Sequence, residues 1–480
     1  MSKAFVIIKL ISLALAGIVV LSMAACAGST DTAETVGETL AATADEAAQP
    51  TAAATEAGFK KLSEEDITIN ETIENSVGGE HAITADGESA SYSNTKVVKT
   101  GDSEQNDEAD FYGDNAAIFA TNGATLDLSE MVVKTDGTHA NAVFSYGEGT
   151  TVNIKDSYIE TSGNCSGGLM TTGGGTMNAS NLTISTSGRS SAAIRSDRGG
   201  GTVTVDGGSY TTSGMGSPVI YSTADITVSN AEMISTASQG VVVEGKNSVT
   251  LNDVDLSADN NTKNSDKSDW YQAVMIYQSM SGDAAEGTSS FTMNGGTLQN
   301  ANGDVFFITN TTTDISLTGA DITNNDNEGY FLRAAAVGWG SDGSNGGQVN
   351  LNASKQTING DIIVDEVSVL NLYLKDNSSF SGAINSDGEA GSVYVELSGG
   401  SKWTLTADSY ISSLTCDADS IDLNGHTLYV NGTAYTEGTA SSGSAIEFTV
   451  SSGGHGGDTP PDKPGEGGPD DGGTPPAKPD

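Results

Sequence analysis

The chain alternates apolar and polar residues in short bursts, and the bursts recur. The string GATLDLSEMVVKTDG from Gly123 is answered by GTTVNIKDSYIETSG from Gly149, GGTMNASNLTISTSG from Gly174 and GGTVTVDGGSYTTSG from Gly200. Weaker copies follow at Ile226-Thr227-Val228, Val249-Thr250-Leu251, Phe291-Thr292-Met293, Ile315-Ser316-Leu317 and Val349-Asn350-Leu351. Markers at the second apolar residue (Leu128, Ile154, Ala179, Val205, Val228, Leu251, Met293, Leu317, Leu351) are 26, 25, 26, 23, 23, 42, 24 and 34 residues apart. Most steps sit near one value and two carry insertions, which is how a solenoid coil behaves when its loops gather on one side.

Each repeat resolves into three pieces. In Val152-Asn153-Ile154 every other side chain is apolar, the period of a half-buried strand. Asp156-Ser157 turns the chain and Tyr158–Thr161 makes a second strand. A third, more continuously apolar piece follows a glycine, as in Val219-Ile220-Tyr221, Val241-Val242-Val243, Val274-Met275-Ile276 and Val305-Phe306-Phe307. Three strands in about 24 residues predict an all-β chain, a single right-handed parallel β-helix solenoid of about a dozen three-strand coils. Antiparallel hairpins in a sandwich or propeller are the rival, and they would not keep one three-part order over so many copies. The ends of a solenoid are open sheet edges that need caps. The sequence assigns residues 62–452 to the β-helix with its N-terminal cap. The cap is expected over residues 62–95, with the coils starting near Thr95, where Thr95-Lys96-Val97-Val98-Lys99-Thr100 resembles residues 131–135.

The flanks read differently. Lys3 and Lys9 precede an apolar run over residues 10–21, which gives residues 1–25 the form of a secretory signal. The run is too short for a comfortable membrane span, which takes about 20 apolar residues. Leu21-Ser22-Met23-Ala24-Ala25-Cys26 resembles the lipobox of bacterial lipoproteins. That resemblance implies a lipid on Cys26, the membrane reached through this lipid alone, and a secreted protein on the outer face of the bacterial membrane. Residues 26–61 are Ala, Thr, Glu and Asp, too polar to offset their ordering entropy, and read as a flexible tether. Residues 453–480 are a Gly/Pro/Asp-rich tail expected to be disordered.

Charge narrows the partners. Lys and Arg number 20 against 63 Asp and Glu, a net −43 that repels nucleic acid and anionic membranes and attracts divalent cations. Cys165 and Cys416 stand far apart without metal-ligand spacing and are expected as buried thiols.

The run 116–259, with its recurrent TSG or TDG turn and GGGT-V-V strand, resembles the repeats of β-helical, adhesin-like passenger proteins of bacterial surfaces, in the pectin-lyase-like fold. Ser401-Lys402-Trp403-Thr404-Leu405 and residues 421–432 (IDLNGHTLYVNG) resemble terminal coils of similar proteins from gut-dwelling anaerobes. What the resemblance implies is surface display, with adhesion or polysaccharide contact as common roles. The Gly/Pro tail departs from autotransporter passengers, which precede a membrane barrel.

Pectin-active lyases and hydrolases share this architecture, so catalysis is the second hypothesis. A lyase needs Arg or Lys to take a proton beside a uronate, usually with Ca²⁺. Arg195-Ser196-Asp197-Arg198 is the nearest match, and its arginines read better as surface charges on a turn. Gly454-His455-Gly456 and Asp470-Asp471 fall in the tail. No catalytic residue is assigned. In or beside the insertions 260–271, 278–289 and 324–347 lie Trp270, Tyr271, Tyr277, Tyr330, Arg333 and Trp339, aromatic and planar groups suited to stacking on sugar rings. They are the candidate ligand-binding residues for a polysaccharide or cell-surface ligand, unless they simply pin the loops to the coils. Asp255, Asp259, Asp321 and Asp326 are the candidate ligands for Ca²⁺, the one cofactor considered. The expected function is a non-catalytic, adhesin-like surface lipoprotein that binds carbohydrate, with an enzyme or a passive surface spacer as alternatives.

Overall fold

In the computed structural model, which describes residue 59 and residues 61–103, 106–388 and 391–448, the alternating positions form short strands paired in parallel one coil apart. The strand Thr151–Lys155 sets Val152 opposite Leu126 of the coil before and opposite Met177 of the coil after. Like positions therefore stack on like positions. Leu126, Val152, Met177 and Val203 form one buried column. Outside it, Asn153 Nδ2 donates to Asp127 Oδ1 at 2.8 Å and Asn178 Nδ2 to Asn153 Oδ1 at 2.9 Å.

Three faces enclose the core. The first runs from Ala90–Ser93 to Ser413–Cys416, and the second starts at Glu71–Asn75 and Thr95–Lys99. They merge into one 22-stranded sheet because Gly175–Thr186 and Gly201–Thr212 continue around the corner between them. The third face is an 11-stranded sheet in chain order, from Ile83–Asp86 to Ile362–Val364. This is a parallel β-helix. Left-handed residues turn the first corner: Glu130, Asp156, Asn181 and Asn230 have φ of 51°, 48°, 51° and 54°, and Gly207 with Gly208 takes the place in the coil between the last two. Asn and Asp tolerate this conformation better than other side chains.

The TSG turn marks the second corner, where its glycines stack. A β-carbon on Gly163 would lie 2.0 Å from the carbonyl oxygen of Gly137, and one on Gly214 would lie 1.8 Å from that of Gly188.

The coils start earlier than Thr95. Glu71–Asn75 pairs with Thr95–Lys99, and Ile83–Asp86 with Ile118–Thr121, so a whole coil precedes the expected start. A terminal coil is stacked on one side only and tolerates the polar Glu71-Thr72-Ile73-Glu74-Asn75, which hid it from hydrophobic patterning. Ahead of it the chain crosses the outside of the second face. Glu64 pairs with Lys96 and Lys134 at 2.6 Å each, and Leu62 N donates to Thr183 Oγ1 at 2.7 Å. At the far end, Ser441–Ser442 pairs antiparallel with Ser413–Cys416, and Thr433–Ala434 with Leu428–Val430, which occupies edges that would otherwise template association.

Cys416 is the expected buried thiol, whereas Cys165 is disulfide-bonded and not a thiol. The signal region, Cys26 and the tail lie outside the described residues, as does nearly all of the tether.

Candidate functional site

The third face explains the continuously apolar strands. One outward residue per coil stacks into a column, whose later part is Tyr221, Val242, Met275, Phe307, Arg333 and Ile363. Outward positions on a solenoid are normally polar. These are apolar because the insertions fold back over them, so strands such as Val241–Glu244 are buried on both sides. The insertions meet each other, with Gly338 N donating to Lys267 O at 3.0 Å. Trp339 is 3% exposed and packs edge-on against Tyr277 at 5.2 Å, while Asn345 Nδ2 holds the carbonyls of Val337 and Trp339 at 2.6 and 2.8 Å.

Of the six residues expected to bind ligand, Tyr277 and Trp339 are therefore out of reach. Tyr277 is fully buried and donates to Glu244 Oε2 at 2.9 Å, and both rings pin the covering layer. Tyr271 is half-buried with the Lys263 ammonium 5.1 Å from its ring centre. Trp270, Tyr330 and Arg333 come together. The Arg333 guanidinium lies 4.1 Å from the Trp270 ring centre and 4.6 Å from that of Tyr330. Its Nε donates to Asp304 Oδ2 at 2.5 Å. Burial raises the Asp304 carboxyl above its ordinary range, against the pull of Arg333.

The cover stops at Trp270, and beyond it the column lies open. A pocket of about 190 Å³ remains there, with Ala335, Ile362, Ile363 and Val364 among its lining. Trp270, Tyr330 and Arg333 line it too, as do Asp365, Asn385, Ser386 and Asp387. Trp270 is 36% exposed, one of few large apolar side chains so open among the described residues. Asn385 is 3% exposed; its Oδ1 accepts from Val364 N at 2.7 Å and its buried Nδ2 has no hydrogen-bond partner. Sequence reasoning missed Asp304 and Asn385. A break in the third-face pattern, where an arginine follows Phe307, was the available signal for the first, and Asn385 carried none.

The four aspartates do not converge. Asp255 and Asp321 lie on one outward column of the second face with Thr297 between them, and Asp255 Oδ1 accepts from Thr297 Oγ1 at 2.9 Å. Asp326 accepts from Gly303 N and Glu328 N at 2.8 and 2.9 Å, bonds that hold its carboxyl below the usual range. Asp259 stands apart in the strand-to-loop turn. Among the described residues, the side-chain group with metal-ligand proximity is Asp110, His139 and Cys165, whose ligand atoms lie within 4.8 Å of one another. Cys165 has its sulfur in a disulfide and Arg195 already neutralises Asp110 at 3.0 Å, so this trio does not suit a cation.

Arg195 is not a surface charge on a turn. It sits in the outward column of the third face under the helix Asn106–Tyr112, 4% exposed, and bridges Asp110 and Asp197 at 3.0 Å each. Burial tends to raise the Asp110 carboxyl, but Arg195 and His139 outweigh it and hold the group low. Burial pushes Asp197 up despite Arg195, with Asp283 and Asp110 adding to the rise. Further along, Glu244 is raised by burial and is shared by the hydroxyls of Tyr221 and Tyr277. This network is a sealed seam between coils and cover. Compared with known proteins, the chain matches no family model, no curated protein and no solved structure, so the functional reading rests on the geometry of the pocket and its surroundings.

Proposed function

We propose that this protein is a non-catalytic, adhesin-like surface protein that binds carbohydrate, displayed outside the cell. The observation that carries the reading is the open end of the covered column. There an exposed Trp270 ring edges a pocket with apolar lining and a polar rim. A sugar offers an apolar ring face and peripheral hydroxyls, and a site of mixed apolar surface and few polar groups is the usual complement of a small ligand. The rigid coils below fix the site, because Arg333 is a strand residue locked between two rings and a carboxylate. The lyase alternative is weakened by the burial of Arg195, which cannot reach a polymer and is already held by Asp110 and Asp197.

The test is a glycan array on the full chain and on Trp270→Ala, run with Ca²⁺ and again with chelator. Saturable retention that fades in the variant supports the reading. Silence of the folded protein on every glycan sinks it, and release of reducing or unsaturated ends from a polysaccharide would favour the enzyme.

A further inference from the structure

Granted the carbohydrate reading, on which this inference rests, the surface around the pocket says how much of a glycan is held and in which direction. A volume of about 190 Å³ is below the ~300–1,000 Å³ of cavities that engulf a whole drug-sized ligand. The pocket therefore seats one sugar ring and leaves the rest of a chain outside. Towards the cover the way is closed: Trp270 stands edge-on to Phe307 at 5.6 Å, and Phe307 and Met275 beyond it are buried.

In the other direction the outward column runs on, partly exposed. Ile362 bridges Ile384, which sets Asn385 one coil beyond Ile363. Tyr410 comes next, its N donating to Ile384 O at 2.9 Å, and it pairs in turn with Tyr429. Ser409, Ile411 and Leu428 beside them are buried in the coil, so both tyrosines face outward, and both are partly exposed. Their rings are stacked, 4.8 Å between centres and 9° from parallel. The turn that lines the pocket leads onto them, because a β-carbon on Gly388, the residue after Asp387, would lie 3.7 Å from Tyr410 Cζ. Tyr410 is three coils from Arg333, or ~14 Å at ~4.8 Å per coil, and Tyr429 is one coil further.

This stretch disfavours anions. Arg333, the cation in the pocket lining, is already neutralised by Asp304, while Asp365 and Asp387 line the rim and the chain carries −43 overall. A polymer of uronic acids would meet repulsion there.

We infer that this face holds a neutral, linear oligosaccharide lengthwise along the solenoid, with one ring in the pocket against Trp270 and a later residue against the Tyr410–Tyr429 pair. An extended β-1,4-linked chain advances by about one coil per residue, so a ligand that reaches Tyr410 has about four residues at ~4.8 Å each. The second contact is made by a molecule already held in the pocket, so it adds affinity without a second loss of translational freedom. Chain length is therefore what the site reads.

The test is calorimetric titration of the full chain with β-1,4-linked dimers and hexamers of glucose, mannose and N-acetylglucosamine, and with galacturonate oligomers of the same lengths. In a neutral series that binds, the hexamer is expected to bind roughly tenfold or more tightly than the dimer. Tyr410→Ala should bring the hexamer down to the affinity of the dimer and leave the dimer unchanged, which also reports that the variant is folded. Tyr410→Phe keeps the ring and should keep the length dependence. Equal affinity for dimer and hexamer in the native protein overturns this inference and leaves the carbohydrate reading standing. A length dependence that survives in Tyr410→Ala, or tighter binding of galacturonate, overturns it as well. Binding of none of the oligomers, with an empty glycan array, overturns both. The native length comparison needs no variant, so a folding defect in Tyr410→Ala does not blunt it.

Discussion

Gly188 stands on the carbonyl oxygen of Gly163, so close that a β-carbon on Gly188 would come within 1.9 Å of that oxygen. Gly163 stands in the same way on Gly137, and Gly214 on Gly188. The glycine of the TSG turn is therefore a spacing requirement between coils and not merely a flexible point. Gly188→Ala must push neighbouring coils apart or break their ladder, and is expected to cost about 3 kcal/mol or more, the upper range for overpacking. Gly123→Ala is the control: its φ is +76° but nothing lies within 4 Å of the new methyl, so only backbone strain of about 1–2 kcal/mol is expected. Urea denaturation of the two variants checks the order, and equal losses would refute the stacking argument.

That turn also shows how much of the fold the chain spells out. Repetition made the three faces readable, because Leu126, Val152 and Met177 recur at coil spacing and one register serves every coil. The acidic first strand Glu71–Asn75 escaped, since an end coil has half the neighbours and weak apolar demand. At the site, Trp270, Tyr330 and Arg333 were legible as a cluster on insertions, but their sorting from Tyr277 and Trp339 was not. Aromatic composition alone cannot distinguish a ring that seals a loop from one left at its edge. The unbroken apolar run of Val241–Glu244 held the missing clue, for a strand buried on both sides implies a covering layer.

The two tryptophans should consequently part company. Trp339→Ala removes a buried ring from its contact with Tyr277 and is expected to cost about 3–5 kcal/mol, the usual loss for a large-to-small change in a packed interior. Trp270→Ala should cost far less in stability, yet abolish most glycan retention. Melting curves beside binding isotherms separate the two effects; a Trp339→Ala protein as stable as the parent would mean that the cover is not packed.

The seam beneath the helix Asn106–Tyr112 gives a pH dependence of definite sign. Asp197 is pushed up to about 8 in the folded protein, first by burial. Between the ordinary carboxylate range and about pH 8 the folded state keeps a proton that the unfolded chain has released. Unfolding then releases that proton, so this group's contribution to stability is largest at acid pH, falls as pH rises and levels off above about 8. Asp197→Asn stays neutral throughout and still offers Oδ1 to Arg198 N, now at 3.0 Å. The variant should lose a slope of up to ~1.4 kcal/mol per pH unit between pH 5 and 8. Parallel stability profiles of the two proteins across that window would show that Asp197 is ionised in the fold.

Arg333 offers the sharpest check on the pocket, because its shape matters more than its charge. A flat guanidinium fits between Trp270 and Tyr330 while its edge meets Asp304, whereas a lysine ammonium cannot lie flat on two rings and bond a carboxylate in the same plane. Arg333→Lys keeps Asp304 from being left as an unpaired buried charge, so the coils should remain folded. It gives up stacking of about 0.5–2 kcal/mol and with it the fixed position of Trp270. Glycan affinity is therefore expected to fall roughly 3- to 30-fold while the melting temperature moves little. If affinity is unchanged in a folded Arg333→Lys protein, the arginine is a coil-to-cover fastener alone, and the ligand rests on Trp270 without its help.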